Sequence, residues 1–185
     1  MKDPITTDLG SIVTPYDYGA GEITISESFQ PGLVYETSTI DYLNYLCYLG
    51  YNTTTVKAIS KTVPGSFSCP KDSTPDLISN INYPSIAISN FFEKGIMNVS
   101  RTVTNVGEED ETVYSAIIDA PSGVKVQLIP DKLQFTKSSK KISYQVTFSN
   151  SSSLKEDLFG SITWRNDKYS VRSPFVLSMY LDEKK

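Results

Sequence analysis

Residues 141–149 read KISYQVTFS. Ile142, Tyr144, Val146 and Phe148 fall on one side of an extended chain, and Ser143, Gln145 and Thr147 on the other. That period of two marks a strand with one buried face. Val124, Val126 and Leu128 repeat the pattern upstream. Further strands are predicted over 85–89, 96–106, 112–119, 133–135, 159–165 and 169–177. Asn166-Asp167 separates the last two, and both residues tolerate the positive φ of a tight hairpin turn. Seven or eight short strands in about a hundred residues is the pattern of an antiparallel β-sandwich.

The texture changes near Asn80. Residues 1–80 mix Gly and Pro turns with helical spacing. TPYDYGAGEITI, from Thr14, reads as a loop and a short strand. A helix is predicted over about 38–50. Ser38 and Asp41 have capping-box spacing, Ile40, Leu43, Leu46 and Cys47 share a face, and Gly50 is a natural stop. A second, over about 54–61, is capped by Thr53 or Thr54. Residues 63–79 hold three prolines and read as ordered loop.

Composition bounds the function. With 185 residues, 39% hydrophobic and 21% charged, the chain is long enough for one domain, or one domain and part of another. A net charge of −4 argues against electrostatic binding to nucleic acid. No apolar run approaches the roughly 20 residues of a membrane span. MKDPITTDLG at the start has no apolar core, so no signal peptide is expected there. Histidine is absent. A complete His-dependent catalytic site is therefore impossible within this chain. No G-x-S-x-G elbow is present either. No residue set predicts a catalytic centre, cofactor or metal site.

Several features invite a chemical reading. VGEEDE carries Glu108, Glu109, Asp110 and Glu111 between two predicted strands. Calcium prefers spaced oxygen ligands, whereas consecutive acids diverge and repel. The run is expected to be the solvated tip of a hairpin joining 96–106 to 112–119. Trp164, Tyr169 and Phe175 are expected in the core rather than on a binding surface. Three N-x-S/T sequons begin at Asn52, Asn98 and Asn150. Asn52 and Asn150 sit in surface contexts, while Asn98 lies in a predicted strand.

YGAGEI (18–23), QPGLVYE (30–36), DYLNYLC (41–47), INYPSI (81–86), RTVTNVG (101–107) and FGSITWRNDKYSVRSPF (159–175) occur in one order. Together they resemble the C-terminal part of the plant subtilisin-like serine proteases, the subtilases. Gln30 and Glu36 stand where that family often has Asp, and Glu22 where it often has His. The resemblance implies that residues 1–80 are the end of a subtilisin catalytic domain. It implies that residues 81–180 form a fibronectin-III-like sandwich packed on that domain. The catalytic Asp, His and Ser would lie outside this chain, which would itself be inactive. The parent would be a secreted endopeptidase, extracellular in the apoplast or cell wall, with the rest of the catalytic domain as the chain's partner. A stand-alone interaction module or truncated paralogue is the alternative.

A secreted family with an even cysteine count favours a Cys47–Cys69 disulfide over two free thiols. The family motif also suggests that Arg172 pairs with a carboxylate of the neighbouring domain. Surfaces evolved to cover another domain should leave apolar side chains exposed, with Ile23, Ile25, Leu33, Val34 and Ile40 as candidates. Residues 1–80 are accordingly expected to be less ordered than the sandwich, or to self-associate.

Overall fold

Tyr144, Val146 and Phe148 are all buried, while Ser143 and Gln145 face solvent, so residues 141–149 lie on a sheet with one covered face. The structure is a computed structural model describing residues 6, 8–10, 13–21, 30–150 and 156–178. Ile23 and Ile25 lie outside the described residues, as do the strand read near them and the serine run 151–155.

The strands are β1 (Leu33–Val34), β2 (Ile86–Ile88), β3 (Ile96–Asn105), β4 (Thr112–Asp119), β5 (Val124–Ile129), β6 (Lys132–Phe135), β7 (Lys141–Asn150), β8 (Leu158–Arg165) and β9 (Ser170–Leu177). They form two sheets, ordered β1-β3-β7-β5 and β2-β9-β8-β4-β6. All pairings are antiparallel except β2 with β9. The core between the sheets includes Val99, Val103, Tyr114, Leu133, Phe148, Ile162, Trp164, Phe175 and Leu177. Its rings meet edge to face. Tyr144 lies 5.0 Å from Trp164, and Phe148 lies 5.1 Å from Phe175, each pair joining one sheet to the other.

Two turn expectations fail, for physical reasons. The acidic run does not cap a hairpin, because β3 and β4 belong to opposite sheets. One side of β3 is taken by β7, and the chain leaves at Asn105 to cross between layers. Asn105 turns that crossing. Its Nδ2–H donates to the Glu109 carbonyl at 2.8 Å, and its Oδ1 accepts the Gly107 N–H at 3.1 Å. At the β8–β9 hairpin, Arg165 pairs with Ser170, leaving a loop of Asn166 to Tyr169. Neither Asn166 nor Asp167 has positive φ. The Asn166 side-chain oxygen instead accepts the N–H groups of Lys168 and Tyr169 at 3.0 and 2.7 Å, closing the turn by side chain.

Upstream, α1 (Pro15–Tyr18), α2 (Thr39–Tyr48) and α3 (Thr53–Ile59) precede a 3₁₀ helix at Pro75–Asn80, and α4 (Phe91–Lys94) leads into β3. The capping box at the start of α2 is formed: Ser38 N–H and Oγ–H both donate to Asp41 Oδ2 at 2.7 Å. Its end is a Schellman turn. Tyr51 N–H reaches Leu46 O, Gly50 N–H reaches Cys47 O, and Gly50 has φ +94. The cap of α3 is Asn52, whose Oδ1 accepts Thr55 N–H at 2.9 Å, rather than Thr53 or Thr54. Leu43, Cys47, Val56 and Phe67 make a second, small core under these helices.

Candidate functional site

The acids of residues 108–110 are divided between two lysines. Glu108 and Glu109 pair with Lys168 at 3.1 and 3.2 Å, and Asp110 pairs with Lys140 at 2.8 Å. Those bonds to Glu108 and Glu109 raise the Lys168 ammonium pKa, and the bond to Lys140 lowers that of the Asp110 carboxyl. Among the described residues no group of three or more His, Cys, Asp or Glu is placed to hold a metal.

Cys47 and Cys69 are joined as a disulfide with Cα atoms 5.6 Å apart, tying α2 to the proline-rich loop. Asn52 is exposed, and its cap uses Oδ1, leaving the amide nitrogen outside that bond. Asn98 is exposed on the outer face of β3, where its Oδ1 accepts the Thr147 hydroxyl at 2.7 Å. Asn150 is half-buried at the end of β7. Trp164 and Phe175 are core residues. Tyr169 packs against the core, and at the rim its hydroxyl oxygen accepts the Glu108 N–H at 3.2 Å. Arg172 is exposed on the outer face of β9. Leu33, expected on the surface, is 3% exposed and belongs to the sandwich core; Val34 is half-buried, and Ile40 is 41% exposed.

The residues that organise the molecule were not legible as such in the sequence. They lie along the seam between the upstream segment and the β3 edge. Arg101 is buried, and among the described residues no carboxylate pairs with it. Its guanidinium donates to the carbonyls of Ser79, Tyr83 and Ser100 at 2.8 Å and of Ser85 at 3.2 Å. Burial lowers its pKa to about 10, so it stays charged at neutral pH. Asn80 and Asn82 stand in for a neighbouring strand. Asn80 Oδ1 accepts Ser100 N–H at 2.9 Å. Asn82 Oδ1 accepts Thr102 N–H at 2.8 Å, and its Nδ2 donates to Thr102 O at 2.8 Å. Side-chain amides thus satisfy an edge that would otherwise invite another strand.

Further along that edge, β1 pairs with β3, Leu33 opposite Asn105. The Tyr35 hydroxyl then bonds to Tyr144 on β7 at 2.9 Å and to Ser173 on β9 at 2.8 Å, touching both sheets at once. Gly32 has φ +71, and a Cβ there would meet Tyr169 Cγ at 2.7 Å. Gly107 presses on the same ring, its Cβ position 2.8 Å from Cε2. The glycines of QPG and NVG therefore hold Tyr169 between them.

The two outer faces differ in chemistry. That of the first sheet is polar along its middle, with Asn98, Ser100, Ser143 and Gln145 exposed and Thr102 hydrogen-bonded to Ser143 at 2.8 Å, and carries exposed Ile96 and Ile129 at its ends. That of the second carries an open groove of about 460 Å³, lined by Tyr16, Tyr83, Ala87, Phe159, Arg172 and Pro174 among others. Tyr16 stacks edge-on against Phe159 at 5.2 Å and donates to Asp157 at 2.6 Å, which raises the Tyr16 pKa. Tyr16 and Tyr83 remain 62% and 55% exposed.

Residues 80–177 match a family model described as Fibronectin type-III domain. The chain is 58% identical over 177 residues to the CO(2)-response secreted protease of Arabidopsis thaliana, covering 96% of this chain and 23% of that protein. It is 54% identical over 180 residues to Subtilisin-like protease SBT5.1 of the same plant, covering 94% of this chain and 23% of that protein. To Subtilisin-like serine-protease S of Lotus japonicus it is 40% identical over 171 residues, 92% of this chain and 22% of that protein. It thus spans less than a quarter of the length of these curated relatives. Among solved structures, WR4, a C. elegans MSP family member, aligns with a TM-score of 0.34 at 9% identity, covering 51% of this chain and 93% of that one, and adds nothing to the assignment. The chain belongs to the fibronectin type-III domain family, in the form found in the C-terminal portion of plant subtilisin-like proteases.

Proposed function

We propose that this chain is the non-catalytic C-terminal part of a secreted subtilisin-like serine endopeptidase, and that it keeps the catalytic part folded. Residues 1–80 complete the catalytic domain while lending strand β1 to the sandwich, and residues 81–180 supply the rest of the sandwich that packs on it. The parent reaction is peptide-bond cleavage through an acyl-enzyme on a serine outside this chain. The chain itself, without histidine to act as the proton shuttle, turns over no peptide. Passage through the secretory pathway accounts for the disulfide and makes Asn52, Asn98 and Asn150 glycan acceptors.

The observation that carries this reading is the open groove on the outer face of the second sheet. Flanked by exposed Tyr16 and Tyr83, it suits a covering domain. Ala87 is exposed in that groove. Ala87→Glu is therefore expected to leave the melting temperature of the isolated chain unchanged. In the full-length protease it should shorten the half-life of activity at elevated temperature, with initial kcat/KM unaltered. A full-length Ala87→Glu enzyme as durable as its parent would overturn the proposed packing face.

A further inference from the structure

The family model begins at residue 80, yet the sandwich begins far earlier. Residues 32–36 enter it at every level. The Gly32 carbonyl accepts Val106 N–H at 2.9 Å. Leu33 lies in the inter-sheet core, and Val34 pairs with Thr104. The Tyr35 hydroxyl bridges Tyr144 and Ser173. Glu36 accepts the Thr104 hydroxyl at 2.6 Å and pairs with Lys141 at 3.0 Å, which together lower its carboxyl pKa. The Glu36 carbonyl also accepts Asn82 Nδ2–H at 2.9 Å. Each of five consecutive residues has its own place: a glycine where Tyr169 leaves no room, an aliphatic in the core, a strand bond, a phenol between sheets and a carboxylate against a lysine.

We infer that residues 32–36 act as a donor strand, and that the β3 edge carries a slot for an extended Gly-Leu-Val-Tyr-Glu segment. The upstream part of the chain and the sandwich are then one assembly held by strand addition, not two domains joined by a linker. The slot is fitted to this segment by shape as well as by backbone bonds, because only glycine takes the first position. The assembly therefore persists when the backbone between its two parts is cut. This inference stands on the geometry alone and holds whether or not the protease reading does.

The test uses the full chain. Lys71 is exposed in the turn at Pro70–Ser73, where Ser73 N–H bonds to Pro70 O. A recognition sequence for a specific endoprotease placed after Lys71 allows one cut. Cys47 and Cys69 both lie on its upstream side, so the disulfide does not link the halves. The halves are expected to co-elute on gel filtration and to separate only as urea is added. Tyr35→Phe leaves two buried hydroxyls without their shared partner, and should weaken the association about 10- to 100-fold. Gly32→Ala should also weaken it. Tyr42→Phe, which removes a bond to Thr37 within the same half, should not. In the uncut wild-type chain, the Val106 amide should exchange as slowly as that of Val146. Halves that part on cutting would overturn the inference. So would separation equally unaffected by Tyr35→Phe and Gly32→Ala, or loop-like exchange at Val106.

Discussion

Replacing Arg101 by methionine tests the seam most directly. Three of its hydrogen bonds reach the carbonyls of Ser79, Tyr83 and Ser85, in a segment with no strand partner of its own. Each bond from a charged donor is worth roughly 1.5–3 kcal/mol, so about 6 kcal/mol of interaction disappears. Against this, methionine fills similar volume and removes a buried charge whose desolvation costs several kcal/mol. A net loss of about 3 kcal/mol remains, which lowers the melting temperature by about 6–12 °C for a chain of this size. Lysine discriminates the cause. It keeps the desolvation cost while its compact ammonium cannot span three carbonyls, so Arg101→Lys should be at least as damaging as Arg101→Met. Calorimetry gives the stability, and amide exchange at Ser100 and Thr102 reports whether Asn80 and Asn82 still hold the edge. An Arg101→Met chain melting within about 2 °C of wild type, or rescue by lysine, would show that the carbonyl cluster is satisfied without the guanidinium.

Paired replacement of Cys47 and Cys69 by alanine opens a loop with sequence separation 22 and should lose about 3 kcal/mol in the chain-entropy model, read as a lower urea midpoint. Gly160→Ala places a Cβ 2.5 Å from the Asp119 carbonyl and against the Phe175 ring, so it should destabilise by about 3 kcal/mol or more, while Gly107→Ala, pressing only on side chains, should lose less. Burial holds the pKa of Tyr144 above the usual phenol value and that of Tyr114 up to about 12. The unfolded chain ionises these groups near 10.0, so their stabilisation is complete below that pH and is lost as pH rises through the folded values; the urea midpoint should fall between pH 10 and about 12. Peptide mapping of secreted material should find glycan at Asn52, and three bare sequons would remove the glycoprotein reading.

What the sequence disclosed, and what it withheld, follows from range. The period-two pattern of Ile142 to Phe148 is a local consequence of one buried face, so β7 was placed to within a residue or two. The same holds for β4, read over its full length, and for the capped helix α2. Connections were harder. Nothing local distinguishes VGEEDE as a hairpin tip from VGEEDE as a bridge between layers, because the difference lies in which strand already occupies β3. The two-residue β1 carries too few residues for any period. Tyr35 looks like any tyrosine until Tyr144 and Ser173, more than a hundred residues away, are brought to its hydroxyl. Arg101 opens RTVTNVG, but an alternating strand gives no sign that one arginine faces inward. Only the nearby NYPS turn, which brings several unpaired carbonyls to one place, could have suggested a donor.

That polar seam has a physical logic. The sandwich core is apolar and would tolerate a neighbouring segment in many registers, because burial of hydrocarbon is non-directional. The upstream part must dock in one register only, since a one-residue slip would put Leu33 in solvent and move Gly32 off Tyr169. Directional groups remove that freedom. Arg101 fixes the carbonyls of Ser79, Tyr83 and Ser85, Asn80 and Asn82 fix the two N–H groups of the β3 edge, and Tyr35 fixes the distance between sheets. Each of these groups is costly when half-satisfied, so a misplaced segment is penalised more heavily than a misplaced aliphatic would be.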